Sequence, residues 1–365
     1  MERALAGWCE GGDARWTRPL RILVDSLRGE ADLNPIGRTL AYGQLSRAVA
    51  ARGRAERLWQ RRPEILERRL ERPIVVLGQM RSGTTRIHRL LACDRRFRFT
   101  RLFETMTPVP RRGPDLRPTA AAAGIRFLHA LNPELAAVHP TSARAAEEEF
   151  GLFSLSFYGA QLEAQWRVPS FAAYWQSADR APVYADFRRL MQTIAWSRGP
   201  GSARWILKAP QFTEDLDHLL AAFPDVRLIC LERDPEQVVA SSASLVWNQM
   251  KVQSDAADRH WIGAEWLRKT AHREARARQV RRLRPDVPQI DLRFEDVNRD
   301  WRGEMRRVYD FLGEPLTGET ERRMARYLAQ AERSGFRSHS YALEDFGLDA
   351  RSVRETIGRA ASFPL

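Results

Sequence analysis

The sequence predicts an α/β protein, a three-layer α/β/α domain around a mostly parallel sheet with a helical extension in front of it. Three observations carry this. Short β-branched apolar runs recur along the chain, each followed by a helix-period pattern. Residues 1–72 hold helix-period stretches broken by Gly and Pro, LRILVDSL and LAYGQLSRAVAARG among them, with no strand pattern. The first apolar run passes straight into a glycine-containing loop and from there into another helical pattern.

The extension over 1–72 reads as three or four helices, and the α/β domain as 73–365. Its first strand is IVVLG (74–78), an uninterrupted apolar run of the kind buried on both faces. FRFTRLFE (97–104) is a less regular second candidate, and RWILKA (204–209), VRLICLER (226–233) and PQIDLRF (288–294) complete the set. Periodicity predicts helices near 84–93, 145–158, 183–198, 212–222, 235–248, 259–283, 300–312, 318–333 and 350–360. Alternation of strand and helix calls for right-handed crossovers and a sheet covered on both sides. The stretch from about 105 to 200 is a helical, aromatic-rich insertion.

Composition excludes several classes. The 365 residues are 44% apolar and 29% charged, enough for one large core and unlike collagen, coiled coil or low-complexity chains. No apolar run approaches the ~20 residues of a membrane span, and the first residues lack the apolar core of a secretory signal, so a cytoplasmic protein is expected. Cys9, Cys93 and Cys230 are scattered without metal or disulfide spacing and read as small hydrophobes. The net charge of +13 would suit a polyanion, but of 59 basic residues only Lys208, Lys251 and Lys269 are lysines. Arginine spread over amphipathic helices in this way is a compositional habit, and nucleic acid is not an expected partner. A lysine kept at a special position is then informative, because arginine serves wherever only charge is needed.

The first strand runs into Gly78-Gln79-Met80-Arg81-Ser82-Gly83-Thr84-Thr85. Two glycines five apart between strand and helix let backbone N–H groups and the helix N-terminus converge on one anion, a P-loop-like geometry. A nucleotidase loop would continue with Lys and a hydroxyl residue; here Thr84 and Thr85 follow, and a cation, Arg81, sits inside the loop. The strand VRLICLER ends in Glu232-Arg233-Asp234, with a cation where a magnesium ligand is expected. The pattern points to a polyanion held by donors, with no metal. Asp234 and Pro235 form a standard helix start, and Ser241 stands eight residues beyond Arg233 on that helix. Together Arg233 and Ser241 suit one phosphate; separately they are a helix-start ion pair and a small packing residue.

GQMRSGTT and LERDPEQVVASSASL, in this order and context, resemble the PAPS-dependent sulfotransferases, specifically the bacterial branch with a G-x-x-R-S-G-T-T loop. RWILKAPQFTEDLDHLLAAFPDVRLICLERDP is similar throughout, and the resemblance extends over roughly 73–350. It implies transfer of a sulfuryl group from PAPS (3′-phosphoadenosine 5′-phosphosulfate) to an acceptor hydroxyl or amine by in-line displacement, leaving adenosine 3′,5′-bisphosphate. It also implies that the 5′-phosphosulfate is held by Arg81, Ser82, Gly83, Thr84 and Thr85, and the 3′-phosphate by Arg233 and Ser241. Arg81 and Lys208 match the family's cations at the leaving oxygen and the sulfuryl group. The resemblance requires no metal.

The base does not carry over directly. Where the cytosolic branch has His two residues after the strand-end Lys, this chain has Pro210. The tyrosylprotein branch uses a Glu a little over twenty residues after the loop Arg, a place taken by Glu104. Glu104 is the first candidate; His139 and Glu148, within HPTSARAAEEEFGLF, follow. At a helix start, one or more of Glu147, Glu148 and Glu149 would serve the helix dipole instead. Arg86 replaces a Trp that stacks on adenine, a task a guanidinium can also perform. The C-terminal Arg-Lys-Gly clamp of the cytosolic branch is absent, and Arg337 and His339 are alternative approaches to the nucleotide.

Eight aromatics fall between residues 150 and 175, so this segment reads either as an acceptor pocket or lid, or as helix core. The first reading favours a small, phenolic or partly apolar acceptor. Two rivals remain at this point: a P-loop kinase or hydrolase with a degenerate loop, and a non-catalytic nucleotide-binding module.

Overall fold

A computed structural model describes residues 2–111, 113–131, 141–201, 203–333 and 342–362. His139, Arg337 and His339 lie outside them. Five parallel strands form one sheet: β1 (Ile74–Leu77), β2 (Phe97–Phe99), β3 (Arg204–Leu207), β4 (Arg227–Glu232) and β5 (Gln289–Arg293), in the order β2-β3-β1-β4-β5. Register pairs Val75 with both Leu207 and Leu228, so the central strand is bonded on both sides.

The strand period of two separates the core into layers. Val75 and Leu77 point to one side and Ile74 and Val76 to the other. The first layer includes Cys9 of α1 (Glu2–Cys9), Leu20, Leu23 and Val24 of α2 (Ala14–Gly29), Leu45 and Ala48 of α3 (Pro35–Arg61), and Leu190 and Ile194 of the helix Ala181–Ser197. The second holds Ile87 and Leu90 of α4 (Thr84–Leu91), with Met305 and Val308 of the helix Trp301–Leu312. The three-layer α/β/α expectation is met, and the N-terminal helices share its core.

The sequence misjudged some boundaries. β2 is only Phe97–Phe99, because Arg101 and Glu104 form a capping box that turns the chain into the helix Leu102–Met106. The helix expected over 145–158 starts at Phe150, since residues 144–147 run across the end of β2 through an Arg101–Ala146 bridge. The helix Arg117–Leu131, alanine-rich with little amphipathic pattern, was not anticipated.

Because β3, β1 and β4 are adjacent and parallel, the loop after β1, the end of β3 and the end of β4 meet at one carboxyl edge. The chain leaves β1 toward β2 and leaves β4 toward β5, on opposite sides. That divergence opens a crevice at the sheet edge, the usual place for a ligand in an open α/β fold.

Candidate active site

Each loop glycine answers a close approach. A Cβ on Gly78 would lie 2.9 Å from the Leu231 carbonyl oxygen, and one on Gly83 would lie 2.5 Å from the Phe294 ring. Gly83 also adopts φ +92, beyond the easy reach of residues with a Cβ. Between them Arg81 holds a left-handed backbone at φ +69, a strained conformation kept by its surroundings. The Ser82 hydroxyl donates to the Gln79 carbonyl at 2.7 Å and closes the loop on itself. Thr84 and Thr85 then open α4, with N–H groups free of intrahelical partners at that end.

The second motif meets the first directly. Arg81 Nε donates to Ser241 Oγ at 2.9 Å, and Arg233 Nη1 donates to the Arg81 carbonyl at 2.7 Å. Arg233 also stands 4.1 Å above the Phe294 ring. Ser241 is buried beneath its contact with Arg81.

Lys208, at the end of β3, is buried and reaches under the loop. Its ammonium donates to Thr85 Oγ1 at 3.0 Å and is paired with the Glu148 carboxylate. Glu149 braces it from behind: one carboxyl oxygen accepts from the Lys208 backbone N–H at 2.8 Å and the other from the Thr100 hydroxyl at 2.9 Å. Complete burial pushes the Glu149 pKa up to about 8. His88 on α4 is also fully buried; desolvation, with the charge of Lys208 beside it, holds its pKa well below the usual histidine value.

A cavity of about 1400 Å³ opens beside these groups; Lys208, Ser241, Glu149 and His88 do not line it. One part of its wall is Arg81, Gly83 to Arg86, Arg233, Phe294 and Tyr327. Glu148, Thr85 and Pro210 also line it, together with Leu40, Phe103, Met106, Ile125, Phe127 and Leu128, which make another part apolar. Arg86 donates to Asn298 Oδ1 at 2.5 Å. Among the described residues no group of three or more His, Cys, Asp or Glu side chains could hold a metal ion, and no helix is long and apolar enough to cross a membrane.

This geometry takes one sequence-predicted candidate away from the cavity and decides one reading that the sequence left open. Glu104 does not line the cavity. It is buried, its carboxylate accepts Arg198 Nε at 2.8 Å and a second Arg198 nitrogen, and it caps the Arg101 N–H at 3.0 Å. The spacing from Arg81 placed it correctly past β2, but the capping-box position turns it away from the site. The aromatics of 150–175 are core: Phe153, Phe157, Trp166, Phe171 and Trp175 are all buried in the layer beside the sheet, and Phe150 alone among the eight lines the cavity. The apolar wall comes instead from α3 and residues 102–128, where no sequence motif announces a pocket. Phe294 and Tyr327 were also missed, although Phe294 directly follows β5 at the same carboxyl edge.

Fold and site together define an α/β protein of the P-loop-like class, with a glycine loop and the arginines Arg81 and Arg233 at the carboxyl edge of its sheet. The chain belongs to the sulfotransferase family, whose sequence profile matches residues 73–318. It is similar to the sulfotransferase STF1 from Mycobacterium tuberculosis H37Rv, with 27% identity, a TM-score of 0.84 and coverage of 98% of both chains. STF9 from Mycobacterium avium shares the fold, with 24% identity, a TM-score of 0.79, and coverage of 98% of this chain and 95% of that one. No curated protein sequence matches.

Proposed function

We propose that the chain transfers the sulfuryl group of PAPS to a hydroxyl of a partly apolar acceptor. The observation that carries this reading is the meeting of the glycine loop, Arg233 and Glu148 on one cavity, with Lys208 buried behind the wall against Thr85 and Glu148, and Ser241 buried against Arg81. The donor set fits the ligand. N–H groups of the loop and α4, with the Arg81 and Thr85 side chains, suit the 5′-phosphosulfate; Arg233 and Ser241 suit the 3′-phosphate; Arg86, Phe294 and Tyr327 offer flat faces for a purine.

In this scheme the acceptor oxygen attacks sulfur in line with the bridging oxygen of the donor. The new S–O bond forms as the bond to the 5′-phosphate breaks, and that oxygen leaves with the electron pair. Arg81 neutralises the charge gathering there, and Lys208 neutralises the equatorial sulfuryl oxygens. The acceptor's proton goes to Glu148, which lines the cavity beside Lys208 and replaces Glu104 as first choice. Glu149 and Thr100 hold Lys208 in place.

The test is incubation with sulfur-labelled PAPS and a panel of hydroxylated amphiphiles, phenols and glycans. Label is expected on a partly apolar hydroxyl compound, with and without EDTA. Magnesium-dependent release of phosphate from ATP, with no label transferred, would overturn the reading in favour of a kinase or hydrolase.

A further inference from the structure

The acceptor side of the cavity carries charge that the transfer chemistry does not use. Arg47 and Arg54 lie on the stripe of α3 that faces the cavity, and Arg111 lines it from the loop after Met106. Among the described residues none of the three has a hydrogen-bond or ion-pair partner. The Nε of Arg54 is inaccessible and unsatisfied. Desolvation, reinforced by the like charges of Arg111 and Arg57, pulls the Arg54 pKa down, and desolvation alone does the same to Arg47. The lining carboxylate nearest in sequence to Arg111, Asp115, is held by both Arg117 nitrogens at 2.8 and 2.9 Å and is not free to offset them.

Like charges gathered on an apolar wall cost free energy until an anion joins them. We infer that Arg47, Arg54 and Arg111 form a binding site for the acidic group of the acceptor, so that the acceptor is an amphiphile with a carboxylate or phosphate on an apolar stem. The stem lies along Leu40, Phe103, Met106, Ile125 and Leu128, which line the cavity among these arginines. This deepens the sulfotransfer reading and rests on it only for the fate of the bound molecule; the binding site itself stands on the cavity.

The test separates the two. With the donor site saturated by adenosine 3′,5′-bisphosphate, calorimetry compares ω-hydroxydodecanoate with its neutral counterpart dodecanediol. The acid is expected to bind about tenfold or more tighter, as one charge-assisted pair allows. The preference is expected to fall to near unity in Arg54→Gln with Arg111→Gln, and to return in part in Arg54→Lys. Unchanged bisphosphate affinity in the same variants shows that they are folded. Equal binding of acid and diol, a preference indifferent to the substitutions, loss of acid binding when bisphosphate is added, or binding to phosphatidylglycerol vesicles but not to the monomeric acid would each overturn the inference. Absence of sulfuryl transfer with an intact acid preference would instead count against the catalytic reading alone.

Discussion

The two parts of the cavity wall are built by opposite means. The donor part is made of contiguous segments, a loop after β1 and a turn after β4, locked to each other by the Arg81–Ser241 and Arg233–Arg81 bonds. The part proposed for the acceptor is assembled from α3, the helix Leu102–Met106 and the helix Arg117–Leu131, which share no motif and contribute mainly apolar surface. A polyanion needs fixed donors at fixed spacing, which a short motif can supply. An apolar surface needs only area and shape, which many residue choices satisfy.

Substitutions that sharpen this contrast should therefore act steeply at the donor part and shallowly elsewhere. The largest effect is expected where the two parts meet. Lys208→Met should lower kcat by about a thousandfold, the scale of losing one charge-stabilising group. Glu148→Gln should lower it by about a hundredfold while leaving affinity for adenosine 3′,5′-bisphosphate within a few fold. Wild-type turnover in E148Q would remove that carboxylate from proton transfer.

Next in size is Glu104→Gln, which separates position in sequence from position in space. Breaking its buried pairing leaves Arg198 uncompensated and should cost about 3 kcal/mol of stability, read by urea unfolding, with kcat of the folded fraction unchanged. A selective loss of kcat would return Glu104 to the chemistry.

The smallest effect concerns Glu149. Its pKa in the folded chain is raised to about 8, above the ordinary 4.5, so the folded state keeps a proton that the unfolded state releases as pH rises between those values. Stability should accordingly fall with rising pH across that window and level off above it. Glu149→Gln keeps acceptor and donor atoms for Lys208 N–H and the Thr100 hydroxyl, and should flatten the slope of Tm against pH. An unaltered slope would mean that another group titrates.

What could be read in the sequence follows the same division. The strands β1, β3, β4 and β5 were evident because runs buried on both faces are apolar without interruption, and β2 was blurred because three residues carry too little pattern. Motif spacing and fixed strand ends determine the place of Arg81, Thr85 and Arg233 on the cavity wall and of Lys208 and Ser241 buried beside them. Glu104 failed because a residue three positions after a helix start turns back to cap it, a local demand that spacing from the loop does not reveal. The aromatic segment stayed open between pocket and core because large rings serve either, and the decision for the core lay with partners in α2 and the helix Ala181–Ser197 that are distant in sequence. Arg47, Arg54 and Arg111 were hidden among 56 arginines; only their shared cavity and lack of carboxylate partners sets them apart.

If the proposed scheme holds, the grip of Lys208 on Glu148 sets an order in time. While the ammonium holds the carboxylate, the proton acceptor is spent, and an acceptor molecule arriving first meets a quenched base. Arrival of the sulfuryl oxygens draws the lysine to themselves and sets the carboxylate free. Under that scheme the order of entry is nucleotide first, then the molecule it modifies.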